Sequence, residues 1–200
     1  MARHIHLVRH GEAHNPDELV YDSLPGFPLS DAGVVQARSA SRFLGSQPIV
    51  AVWSSPLQRA LETAMPIARR CGLAVQIDDA LIEWTLLSRW AGTPWVDVPA
   101  VHPGELEAYL QHPTELDFSE ESLEALAARM VDAVRVIDAR HDAGDIVIVG
   151  HQDPIQACRL ALTGRDLSTL HADKPTHASV ITLIPGTPWR EVAMWEPEPV

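Results

Sequence analysis

The sequence predicts an α/β fold: a three-layer α/β/α arrangement around a mainly parallel sheet. Three observations predict it. Short apolar, β-branched runs alternate with longer segments of helical period along the 200 residues. One of those runs, residues 146–149, is apolar at every position, as a strand covered on both faces must be. No internal repeat, low-complexity segment or shift in composition marks a second domain, so residues 1–200 are expected to form one.

Residues 4–8 (His-Ile-His-Leu-Val) read as the first strand, which runs into Arg9-His10-Gly11. Residues 15–28, rich in Pro, Asn and Gly, read as a loop. Ser30 is a good helix N-cap with Asp31 in the first turn, and Val34, Ala37, Ala40 and Leu44 carry an apolar face to Gly45. Residues 49–53 form the second strand, stopped by Ser54-Ser55-Pro56. Leu57, Ala60, Leu61, Ala64 and Ile67 mark a second helix closed by Gly72, in which Pro66 predicts a kink or an early stop. Residues 73–77 form a third strand.

Residues 84–119 break the pattern. They hold Pro94, Pro99, Pro103 and Pro113 together with Trp84, Trp90 and Trp95, three of the six tryptophans. A segment this long without structure of its own is usually functional or disordered, and the tryptophans favour packing. It is expected to be an irregular insertion with short helices over one end of the core, where it would set substrate specificity. Beyond it, Leu123, Leu126, Ala127, Met130, Val134 and Ile137 share one face of a long helix. The strand at 146–149 follows, then a helix at 154–162 closed by Gly164, and a last strand at 179–184. The tail with Pro197 and Pro199 is expected to fray.

Asp plus Glu is 27 against 15 for Lys plus Arg, a net charge of −12. That excludes a nucleic-acid or anionic-membrane partner, because either needs a positive surface. A small anionic substrate stays compatible, since a few buried arginines make a local positive pocket. Of the 15 basic residues only Lys174 is lysine. Cys71 and Cys158 lie far apart in apolar helical contexts and are expected to be buried free thiols. The first residues lack the apolar run and cleavage site of a signal peptide, and no stretch approaches roughly 18 uninterrupted apolar residues. A cytoplasmic setting is the expectation.

In a parallel sheet, ligands bind beyond the carboxyl ends of the strands. Here those ends carry Arg9-His10-Gly11, then Ser54-Ser55-Pro56 with Arg59 on the following helical turn, then Gly150-His151-Gln152 at a helix N-terminus. Paired Arg and His residues with helix N–H groups suit a phosphoryl group. Gly11 would let the backbone approach an oxyanion closely. His4 and His6, on one face of the first strand, read as packing or surface residues. With His10 and His14 they fit no zinc spacing, so no metal and no cofactor is expected.

Leu7-Val8-Arg9-His10-Gly11-Glu12 resembles the signature of the histidine phosphatase superfamily, the phosphoglycerate mutase-like fold. Pro28-Leu29-Ser30-Asp31-Ala32-Gly33, the run from Ser54 to Ala64, Leu81-Ile82-Glu83, Glu121-Ser122 and Val147-Ile148-Val149-Gly150-His151 resemble its further blocks. The resemblance spans most of the chain outside residues 84–119. It implies that His10 is the nucleophile and forms a phosphohistidine. It implies that Arg9, Arg59 and His151, with Gln152 beside them, bind the phosphoryl oxygens, and that Glu83 donates a proton to the leaving alcohol. Asn15 and Trp84 are candidate substrate contacts.

The chain departs from the family at Ala13, Phe27 and Asn15, which stands one residue early. Gln152-Asp153-Pro154 stands where glycines are common, and Trp84-Thr85-Leu86-Leu87 replaces the mutase block after Glu83. A mutase must hold a bisphosphorylated intermediate, and no paired arginines follow in the insertion. A metal-independent phosphatase is therefore expected, its partner a small phosphorylated substrate; the oligomeric state stays open, a homodimer being one option. A bisphosphoglycerate-dependent phosphoglycerate mutase, a protein phosphohistidine phosphatase and a non-catalytic phosphate-binding module are the alternatives.

Overall fold

The computed structural model describes residues 3–199. Strands β1 (Ile5–Arg9), β2 (Ile49–Ser54), β3 (Val75–Ile77), β4 (Asp145–Gly150), β5 (Val180–Ile184) and β6 (Arg190–Trp195) make one sheet, ordered β3-β2-β4-β1-β5-β6. The first four are mutually parallel, and β5 runs antiparallel to β1 and to β6. Every residue of β4 is buried, as its unbroken apolar run requires of a central strand.

Alternating side chains divide the core in two. Val8, Val52, Val147, Val149 and Val180 face α1 (Asp31–Leu44) and α2 (Gln58–Cys71), where Ala40, Leu44, Ala60, Ala64 and Ile67 meet them. On the other face, Ile5, Leu7, Ile146, Ile148, Ile181 and Leu183 belong to the larger core. That core also takes in side chains of α3 (Val98–Val101), α4 (Glu105–Gln111), α5 (Leu123–Ala139) and α6 (Gln152–Thr163). Each fully buried Ile, Leu or Val contributes about 1.5–3 kcal/mol. Cys71 and Cys158 are both free, but only Cys158 is buried; Cys71, at the end of α2, stays half-buried.

Two expectations need revision. Helix α2 closes on Gly72 at φ 69°, as expected, and the early stop that Pro66 allowed does not occur. Burial of Ala60, Ala64, Ile67 and Ala68 outweighs the ~3 kcal/mol that a helical proline costs. Ser41 Oγ also donates to the Pro66 carbonyl at 2.7 Å, tying α1 to α2 there. Second, β5 is not the last strand. Residues 190–195, to which the sequence reading assigns no element, form β6 along the edge of β5.

The insertion folds as expected into short helices: a 3-10 segment at Thr85–Trp90, then α3 and α4. Trp84 and Trp90 are fully buried within it. Trp90 meets Tyr109 edge-on at 5.6 Å, and its indole N–H donates to Glu105 at 2.9 Å. A polar partner for the N–H is what a buried tryptophan needs.

The direction of β5 matters for the site. Val180, its first residue, pairs with Val8 near the carboxyl end of β1. Residues 175–179 therefore arrive at the same rim as Arg9 and His10.

Candidate active site

His10 stands just beyond β1, buried at 2% exposure. Its Nδ1 lies 2.7 Å from the Gly11 carbonyl oxygen, which can only accept, so Nδ1 carries the hydrogen. Nε2 is left as a lone pair and accepts from Arg59 Nε at 3.3 Å. Burial first, then the neighbouring His151, Arg59 and Arg9, hold this imidazole well below its usual pKa. It is neutral at pH 7.

The room at Gly11 is used by protein, not by ligand as expected. A Cβ there would lie 2.6 Å from the Gly33 carbonyl oxygen, and one on Gly33 would lie 2.0 Å from that of Glu12. The two glycines let the loop after β1 press directly on the first turn of α1. Ser30, the α1 N-cap, donates to Glu12 at 2.6 Å and accepts from Gly33 N at 3.0 Å. Gly11 N–H donates to Thr63 on α2 at 3.0 Å.

Two arginines flank His10. Arg9 donates from Nη1 to the Pro175 carbonyl at 2.9 Å and from Nη2 to His177 Nε2 at 2.8 Å. His177 must be neutral there to accept. Burial, helped by Arg9, lowers its pKa to about 4. Arg59, on the first turn of α2, donates to the Asp22 carbonyl at 2.8 Å. Its guanidinium lies 4.6 Å over the Tyr21 ring, which stacks on Phe27 at 4.9 Å.

His151 caps α6 and is fully buried, 5.3 Å from His10 between ring centroids. Its Nε2 lies 2.7 Å from Ser55 Oγ, which itself accepts from Leu57 N at 3.3 Å. His151 Nδ1 has no hydrogen-bond partner among the described residues and lies 3.8 Å from Glu83 Oε2. Glu83 is 7% exposed. Burial first, then the charge of Asp153, raises its pKa to about 8, despite Arg59 and a 2.9 Å bond from Trp84 N. It is a protonated acid at neutral pH, as a proton donor must be.

Arg9, His10, Glu83 and Gln152 line a cavity of about 400 Å³, and Arg59 and His151 reach it through their contacts with His10. Leu87, Trp95, Leu106, Tyr109 and Leu110 of the insertion form much of its walls. The structure thus gathers Arg9, His10, Arg59, Glu83, His151 and Gln152, as the sequence reading anticipated. Trp84 is corrected: its ring lies in the core and its indole N–H donates to the Glu121 carbonyl at 2.8 Å. Asn15 lines an adjoining hollow of about 570 Å³ that shares Arg9, Tyr21 and Trp95 with the cavity. Its amide is spent on Leu19, donating to the carbonyl at 2.9 Å and accepting from the N–H at 3.0 Å.

Sequence reasoning missed Tyr21, Asp22, Ser55, Tyr109, Asp153 and His177. Ser55 and Asp153 lay inside segments already singled out. The others come from loops and the insertion, where no periodicity points inward.

An arginine-flanked neutral histidine facing a protonated carboxyl defines a phosphoryl-handling enzyme. Residues 5–195 match the histidine phosphatase superfamily (branch 1). The chain belongs to that superfamily and is a phosphoric monoester hydrolase. It is 40% identical over 170 residues to the uncharacterized protein Rv0525 of Mycobacterium tuberculosis, covering 82% of this chain and 80% of that one. Phosphoserine phosphatase 1 of Hydrogenobacter thermophilus is 31% identical over 163 residues, 81% and 77% of the two chains. The solved structure of mycobacterial glucosyl-3-phosphoglycerate phosphatase with VO3 has a TM-score of 0.87 at 29% identity, covering 98% of this chain and 99% of that one.

Proposed function

We propose that this enzyme hydrolyses a phosphomonoester in two steps through a phosphohistidine on His10, without a metal ion. The observation that carries the reading is the 2.7 Å bond from His10 Nδ1–H to the Gly11 carbonyl, which leaves Nε2 as an unprotonated nucleophile beside Arg59.

In the first step His10 Nε2 attacks phosphorus and the bond to the leaving oxygen breaks. Arg9, Arg59 and His151 take the charge spread over the equatorial oxygens. Glu83, protonated at neutral pH because its pKa is about 8, gives its proton to the departing alkoxide. In the second step the Glu83 carboxylate removes a proton from water. The water oxygen bonds to phosphorus, the P–N bond breaks, and His10 returns to its starting form with release of inorganic phosphate. Covalent catalysis divides one hard displacement into two easier ones.

Rapid quench with a labelled phosphomonoester tests this. The expected result is a phosphoenzyme labile in acid and stable in base, absent in His10→Ala, with turnover unaffected by EDTA. An acid-stable phosphoenzyme, or turnover in His10→Ala equal to the parent, would overturn it.

A further inference from the structure

The walls of the cavity bear on what is attached to the phosphate, an inference that rests on the phosphomonoesterase reading above. Beyond the phosphoryl clamp the charged groups are Asp22, Asp153 and Lys174. Both carboxylates are already engaged. Asp22 accepts from the Ser23 hydroxyl at 2.9 Å and from that of Ser88, and Asp153 from Tyr109 at 2.7 Å and Gln152 at 3.2 Å. Two carboxylates against one ammonium leave this region without the cationic surplus that an acidic leaving group would need.

Apart from Tyr21 and Tyr109, the remaining wall is apolar. Val20, Leu87, Trp95, Leu106 and Leu110 face the same space. Leu106 and Leu110 lie one turn apart on α4 and so share a face. Both also line an adjoining hollow of about 300 Å³ bounded by Pro99 and Gly104. The Leu106–Leu110 face is thus shared by the two spaces, although Glu107 and Gln111 also edge the outer one. Leu110 sits at this junction half exposed, at 50%.

We propose that the leaving group is an uncharged, predominantly apolar alcohol, seated against Trp95 and the Leu106–Leu110 ridge. Carboxylate-bearing alcohols are disfavoured by Asp22 and Asp153. The insertion selects by apolar contact, and the clamp below it binds the phosphoryl group common to every substrate.

The test is kcat/KM for a series of n-alkyl phosphates from ethyl to hexyl, against O-phosphoserine and 3-phosphoglycerate. The members above ethyl have nearly equal leaving-group basicity, so differences report contact and not intrinsic reactivity. The expected result is a rise of about threefold to fourfold per methylene, with hexyl phosphate well above both acidic esters. Leu110→Asp should flatten the series and Leu110→Met should keep its slope; Leu110 is exposed enough that neither change threatens folding. A flat series, or preference for either acidic ester, overturns the inference while hydrolysis itself upholds the phosphatase reading. No hydrolysis of any ester and no phosphoenzyme overturns both.

Discussion

Tyr109 donates its hydroxyl hydrogen to Asp153 at 2.7 Å, fastening the insertion to the first turn of α6 beside Glu83. The bond does two things. It holds the wall of the substrate cavity, and it keeps a carboxylate where its charge raises the Glu83 pKa. Burial and Asp153 in turn hold the Tyr109 phenol well above its ordinary pKa, so it stays a donor across the working range.

The first prediction follows from that charge. Activity that needs protonated Glu83 is lost as pH rises through about 8. Asp153→Asn removes the second-largest cause of the upward shift, so the basic limb of kcat/KM should move to lower pH. A pH profile with an alkyl phosphate reads it directly. A limb that stays in place would mean that Asp153 does not act on Glu83.

Glu83→Gln should harm poor leaving groups far more than good ones. General acid catalysis supplies roughly 10²–10⁴-fold, and only where the departing oxygen needs a proton. An alkoxide needs one, whereas a nitrophenolate hardly does. Phosphorylation rates across leaving groups of graded pKa decide the matter. Equal losses throughout would assign Glu83 a structural role.

The same substitution should stabilise the fold. Glu83 titrates at about 8 in the folded chain against 4.5 for the free side chain. Below pH 4.5 the folded and unfolded states both hold the proton. Between these values only the folded state keeps it, so stability falls as pH rises and the full penalty is reached above pH 8. Glu83→Gln should therefore match the parent near pH 4 and exceed it by about 2–4 kcal/mol at pH 8. Calorimetry at both pH values checks this, and an equal Tm difference at each would refute it.

His177 orients Arg9 through the 2.8 Å bond that its Nε2 accepts. His177→Ala should weaken competitive inhibition by vanadate about tenfold, the scale of one hydrogen bond to a charged group. His177→Asn, which offers an amide oxygen, should recover part of the loss. Unchanged inhibition constants in both variants would show that Pro175 alone suffices to hold Arg9.

Trp84→Phe separates packing from substrate contact. The ring is fully buried and its N–H serves Glu121. The expected outcome is a lower Tm, from about 1–3 kcal/mol of lost hydrogen bonding and volume, with KM unchanged. A raised KM at unchanged Tm would restore Trp84 to the substrate site.

Parallel strands and their carboxyl ends were legible because each strand is apolar enough to announce itself. That brings Arg9, His10, Arg59 and His151 together from the sequence alone. His177 was not legible, for a topological reason. Only β5 among the inner strands runs backwards, so the segment before it, and not the one after, reaches the catalytic rim. Nothing in Val180–Ile184 reports direction. Strand β6 was hidden because its residues are exposed or half-buried. An edge strand takes its order from backbone bonds to its neighbour, which leave little pattern in side chains. Asn15 entered as a candidate only through the resemblance, one residue early, and its amide is spent on Leu19.

The indole of Trp84 bonds to the backbone of Glu121 across the base of the insertion, so the segment departs from and returns to one point on the scaffold. A stretch of chain with joined ends can lengthen, shrink or change sequence at modest entropic cost to the rest of the fold. The clamp of Arg9, His10, Arg59 and His151, built from strand ends and the first turns of α2 and α6, need not respond; Glu83, at the foot of the segment and tied to it through Asp153 and Tyr109, would. Change in this segment is thus confined to the cavity wall and to the acid beside it, and leaves the nucleophile and its arginines where the sheet sets them.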